Sequence, residues 1–144
     1  MNAVTPQEAR ASNAMVEGTI CRSGNIARVL FDPGATHSFI SSSFATTINK
    51  ESEPMNYQLV VSIPVGAKLT TNVYYKGCEI IIRKMKKQAD LIKIGEMEYD
   101  IILGMDWLSA YHAHVDYHQK RIIFKFEGAP EKVYEGRRIK FTFQ

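Results

Sequence analysis

The sequence predicts an all-β barrel with one or two short helices. Short runs rich in Val, Ile, Phe and Tyr recur along the chain at roughly 8–12-residue spacing. Gly, Asn and Pro punctuate the gaps between them, where turns need their backbone geometry. Beyond the N-terminal arm, helix signals occur in only two places, and both are short.

Residues 1–14 are polar and alanine-rich and read as an N-terminal arm, with a helical turn over Pro6–Arg10. Val16–Cys21 and Ile26–Phe31 flank Arg22–Asn25, a turn with Gly and Asn where positive φ is easy. Ser41–Ile48 reads as a serine-capped helix. Gln58–Ile63 and Leu69–Tyr75 read as a hairpin around Pro64–Ala67. Cys78–Arg83 and Ala89–Ile94 read as two strands joined by a basic turn, Lys84–Lys87. Tyr99–Leu103 is an apolar strand ending at Gly104, and Asp106 is the expected N-cap of a helix over Trp107–Tyr111. Val115-Asp116 and Arg121–Phe126 form a hairpin across Tyr117–Lys120. The tail, Val133–Gln144, alternates over Arg138–Phe143, which suits one added strand. The expected division is an arm at 1–14, a main domain at 15–127 and a C-terminal extension at 128–144.

Size and composition narrow the function classes. A chain of 144 residues suits one domain, and at this length folding buries roughly 68–70% of the unfolded surface. Hydrophobic residues make up 45%, so disorder is not the default. A net charge of +3 is too small to argue for nucleic-acid binding by this domain. No apolar run approaches the roughly 18 residues of a membrane span. The first ten residues lack the apolar core of a signal peptide. Cys21 and Cys78 stand outside any motif spacing, which favours free thiols in a reduced, cytoplasmic setting.

One stretch carries chemistry. Val29-Leu30-Phe31 delivers a single carboxylate, Asp32, into the turn Pro33-Gly34-Ala35. This Asp-Pro-Gly-Ala resembles the Asp-Ser/Thr-Gly-Ala motif of retropepsins, the single-domain aspartic proteases of retroviruses and retrotransposons. Downstream, Ile101-Ile102-Leu103-Gly104-Met105-Asp106-Trp107-Leu108 resembles their second signature. The fuller strings VLFDPGATHSFIS and YDIILGMDWL look most like the protease region of plant Ty3/gypsy-type retrotransposon polyproteins. The resemblance runs from about Thr5 to Phe126.

The resemblance implies a retropepsin-like acid-protease barrel that works as a two-fold homodimer. Amide hydrolysis without a metal can use one carboxylate to activate water and a second, protonated carboxyl to polarise the carbonyl. The chain has one Asp-x-Gly of this kind, so the second acid would come from Asp32 of another copy. Ile101, Ile102, Leu103 and Gly104 would support the active-site loop, and Gly34 would allow a sharp turn. The flap would be Ile63, Pro64, Val65, Gly66 and Ala67, closing over an extended polypeptide, the chain's own polyprotein. No cofactor, metal or membrane is implied, and the setting would be intracellular, within virus-like particles. Pro33 departs from the family's Ser or Thr, whose hydroxyl and N–H clamp the two loops across the axis. The alternative reading is therefore a retropepsin-fold dimerisation or assembly module with little or no proteolysis. His112, His114 and His118 read as a surface hairpin edge, since no acid or cysteine ligand accompanies them. Trp107 reads as core, and Asp90, Asp100 and Asp116 receive no role.

Overall fold

The computed structural model describes residues 15–22, 25–55, 73–82, 85–125, 128 and 130–135. The expected arm at 1–14, the expected hairpin around Pro64–Ala67 and the alternating segment Arg138–Phe143 lie outside the described residues. The strands are β1 (Val16–Arg22), β2 (Asn25–Phe31), β3 (Ser38–Ser41), β4 (Glu53–Pro54), β5 (Val73–Ile82) and β6 (Met85–Ile94). They continue with β7 (Ile101–Leu103), β8 (Ala113–Asp116), β9 (Arg121–Phe124) and β10 (Lys132–Glu135). Two short helices, α1 (Ser42–Ala45) and α2 (Met105–Ala110), complete the described elements.

Seven strands form one sheet in the order β1-β2-β7-β3-β6-β5-β4, and a β1–β5 pairing at Cys21 and Ile81 curls it toward closure. β8, β9 and β10 form a second, antiparallel sheet. The large sheet has apolar side chains on both faces. Val29, Phe31, Ile40, Leu91, Ile101 and Leu103 enter the main core. Their neighbours Leu30, Phe39, Ile92 and Ile102 enter a second cluster with Ala35 and Ile94. This period-two division explains the apolar pair Phe39-Ile40 in β3 and the unbroken apolar run of β7, both strands being buried throughout. β2 pairs parallel to β7 and β3 parallel to β6, the arrangement expected of strands covered on both sides.

Several boundaries differ from the sequence reading, each for a local reason. The expected Ser41–Ile48 helix is only Ser42–Ala45, because Phe39 and Ile40 are drawn into β3 between β6 and β7. Ser41 caps it, accepting from the Phe44 N–H. The Thr46 and Thr47 hydroxyls then donate to the carbonyls of Ser43 and Phe44, competing with further helix. The strands expected to end at Tyr75 and to start at Cys78 are one strand, β5, running across a bulge. Gly77 supplies φ of 65° there, and its N–H donates to Asp90 Oδ1. Met85–Lys87 of the expected basic turn belong to β6, so the hairpin is tighter than composition suggested. β7 starts at Ile101 rather than Tyr99, β8 at Ala113 rather than Val115. β4 had no counterpart in the sequence reading, and β10 lies in the C-terminal extension but ahead of the Arg138–Phe143 segment where an added strand was expected.

Candidate active site

Asp32 sits where β2 leaves the sheet. The β2–β7 ladder ends on Phe31 opposite Leu103, and the Asp32 N–H extends it by donating to the Leu103 carbonyl at 2.9 Å. The chain then turns back, with the Ala35 N–H donating to the Asp32 carbonyl at 3.1 Å. This closes a four-residue turn with Pro33 at its second position, where a φ fixed near −65° is favoured. Gly34, expected to give a sharp turn through backbone freedom, is not among the positive-φ glycines, which are Gly77 and Gly128 in the described residues. Its contribution is a donor: its N–H points to Asp32 Oδ1 at 2.9 Å. Asp32 is only 3% exposed, the one buried carboxylate among the described residues.

The second signature is bonded to this loop. The Met105 N–H donates to the Ala35 carbonyl at 2.8 Å and the Asp106 N–H to the Thr36 carbonyl at 3.3 Å. Two N–H groups that a helix start leaves without intrahelical partners are thus satisfied by the turn holding Asp32. Gly104 is required by contact: a Cβ there would stand 2.7 Å from the Ala35 carbonyl oxygen and closer still to that of His37. Gly104, not Asp106, occupies the N-cap position of α2. Asp106 lies in the first turn, where its Oδ1 accepts from the Trp107 N–H at 2.8 Å and from the Ser38 hydroxyl at 2.7 Å. Ser38 also accepts from the Gly104 N–H at 3.0 Å. Ile101 and Leu103 are buried in the main core behind the loop, and Ile102 faces the second cluster beside Ala35. The Ser38–Asp106 bridge was missed by sequence reasoning. Its signal was a serine at the start of the apolar stretch Phe39-Ile40.

The other aspartates to which no role was given hold backbone in place. Asp90 accepts from Gly77, Asp100 from the Arg28 N–H at 2.8 Å, and Asp116 from the Gln119 N–H and the Arg121 guanidinium. The Gln119 backbone bond, ahead of the Arg121 guanidinium, draws the Asp116 pKa below its ordinary value. Tyr99 donates to Glu17 at 2.6 Å, and burial, then this carboxylate, pushes its phenol above the ordinary tyrosine range. Trp107 is buried against Phe31, Phe124 and Tyr111. Among the described residues no three His, Cys, Asp or Glu side chains converge as metal ligands do. The expected flap residues, Ile63 to Ala67, lie outside the described residues.

These features recur elsewhere. The fold is similar to the retroviral protease-like domain of Ddi1 from Leishmania major, with a TM-score of 0.59 at 12% identity over 83% of this chain and 94% of that one. No curated protein sequence matches the chain. A family model described as retroviral aspartyl protease matches residues 1–129. A buried Asp-x-Gly-Ala turn bonded to a second glycine signature is thus set in a retropepsin-like fold, and the chain belongs to the retroviral aspartyl protease family.

Proposed function

We propose that the chain is an aspartic endopeptidase whose catalytic dyad is Asp32 of one subunit and Asp32 of a second copy. The observation that carries this reading is the buried Asp32, held by its own turn and by the start of α2. An ordinary turn aspartate is exposed; a carboxyl left only 3% exposed is costly unless it is protonated or bonded. Two carboxyl groups about 3 Å apart share one proton, a property known for aspartic proteases as a class. The ionised member takes a proton from water, and the resulting oxygen attacks the peptide carbonyl. The protonated member gives its proton to the carbonyl oxygen, forming a diol. As the diol collapses and the C–N bond breaks, the carboxyl that took the water proton delivers it to the leaving nitrogen. The other, now ionised, takes a proton from a diol hydroxyl, which restores the dyad.

The dyad puts Pro33 beside the two-fold axis. Pro33 lines a groove of about 460 Å³ with Met105, Leu108, Ser109, His114 and Val115. Met105 is 39% exposed at its rim, and β8 has an outer edge that no described strand pairs. A second copy seated here would cover the groove and complete the site. The natural substrate in this reading is the chain's own Gag-Pol-type polyprotein, in a plant Ty3/gypsy-type element acting inside virus-like particles.

The departure at Pro33 supports a second reading, a dimerisation or assembly module with little proteolysis. Pro33 offers neither the hydroxyl nor the N–H of a cross-axis clamp. Incubation with a denatured protein substrate at mildly acidic pH separates the two. The first reading requires cleavage that disappears in Asp32→Asn and is blocked by a statine-type analogue of the tetrahedral diol. Dimerisation with no cleavage would establish the second.

A further inference from the structure

The family match ends at residue 129, yet the described fold continues beyond it. β10 (Lys132–Glu135) pairs antiparallel with β9 and places Tyr134 in the main core at 4% exposure. The Tyr134 ring lies 5.7 Å from the ring of Phe31, which also packs against the Trp107 ring at 6.0 Å. Phe31 is the residue before Asp32, so the strand end that delivers the carboxylate is gripped between α2 and β10. The phenol is tied as firmly as the ring. Its oxygen accepts from the Thr19 N–H at 2.9 Å and its hydroxyl donates to the Thr19 carbonyl. Thr19 stands opposite Arg28 in the β1–β2 hairpin, so this pair of bonds anchors β10 to the hairpin that carries Asp32. Gly18 makes room for it: a Cβ there would stand 2.6 Å from the Tyr134 oxygen and 2.9 Å from Cε2.

We infer that Tyr134 is a positioning residue for the Asp32 turn, so that the working protease unit extends through β10. This rests on the peptidase reading of Asp32. Tyr134 touches no reacting atom; it holds Phe31 from behind while the Asp32 N–H remains on Leu103. A displacement of about 1 Å at a catalytic group costs on the order of 100-fold in rate. A polyprotein cut between residues 129 and 134 therefore disables the site, and a productive downstream cut falls after Glu135.

The test compares the full-length wild type with Tyr134→Phe and Tyr134→Leu. Cleavage of a quenched peptide gives kcat, KM and the pH profile per folded dimer, and amide exchange reports on the Asp32 N–H. Leucine removes both anchors, so kcat falls at least about tenfold with KM nearly unchanged, and the acidic limb of the pH profile moves. Phenylalanine keeps the ring on Phe31 and recovers most of that loss. Its Asp32 amide exchanges at least about fivefold faster than in the wild type, the factor that goes with two neutral hydrogen bonds at the low end of their range. A wild-type pH profile and kcat per folded dimer in Tyr134→Leu would overturn the inference. If that variant does not fold, an unchanged Asp32 exchange rate in Tyr134→Phe overturns it. The exchange readout needs no activity, so a wild type that cleaves nothing refutes the peptidase reading while Tyr134 is still decided.

Discussion

Asp32 and Pro33 are adjacent, yet the turn asks different things of them. Asp32 needs donors and a fixed backbone, and it finds them in Gly34 and Leu103. Pro33 needs only the second position of a turn, which it fills while lining the groove beside the proposed axis. A serine there would fit the same backbone and restore a hydroxyl and an N–H. Pro33→Ser is therefore expected to tighten the dimer by about 1–3 kcal/mol, from two neutral hydrogen bonds. The opposing loss of proline rigidity costs the monomer about 0.4–1 kcal/mol. Sedimentation equilibrium of both forms measures the difference, and equal or weaker association in the serine form would show that the loops do not meet at this residue. Ser38 sets a second expectation. Ser38→Ala removes the acceptor of the buried Gly104 N–H and one donor to Asp106, so urea unfolding should show a loss of about 1–3 kcal/mol. A loss below about 0.5 kcal/mol would mean that the bridge between the two signatures does not bear on stability.

At the scale of elements, what was legible in the sequence was what local physics decides. The β1–β2 hairpin and the Ile101–Leu103 strand were readable because an apolar run ends in a turn residue in each case. The Asp32 turn and Gly104 were readable through their motif. β3 was not, because four residues, Ser-Phe-Ile-Ser, become a strand only through pairing with β6 and β7 from distant sequence. The division of β5 was misread for a related reason. The sequence reading ended one strand at Tyr75 and began the next at Cys78, and only the cross-strand Asp90 shows that the ladder resumes beyond the bulge. The added strand expected in the C-terminal extension was not placed at β10, because its anchor, Tyr134, acts on Thr19, 115 residues away. That anchor has a pH signature. Burial pushes the Tyr134 phenol above the ordinary tyrosine value, and burial does the same to Tyr99. A raised folded-state value gives stability that is complete below the unfolded value, about pH 10, and is lost as pH rises beyond it. Denaturant midpoints should therefore fall above about pH 10, less steeply in Tyr134→Phe, which has one phenol fewer to ionise on unfolding. Parallel alkaline limbs in the two proteins would contradict the burial of this hydroxyl.

At the scale of the whole molecule, the proposed reading makes one chain half of a catalytic centre. The large sheet, apolar on both faces, fixes Asp32 from behind, and the three-stranded sheet with α2 forms the walls of the groove beside it. Among the described residues Asp90, Asp100, Asp106 and Asp116 are committed to local bonds, so the proposed dyad takes its second carboxyl from another copy. The peptidase account therefore makes activity a property of pairs. The most direct measurement mixes wild-type chains with increasing amounts of Asp32→Asn chains, allows subunits to exchange, and follows peptide cleavage at constant total protein. An Asp–Asn pair has no partner to share a proton, so only wild-type pairs cleave. At equal parts, about one quarter of the activity should survive, because random pairing leaves that fraction of dimers with two Asp32 residues. Survival of about one half, in proportion to the wild-type chains present, would mean that each chain works alone and would contradict the shared dyad.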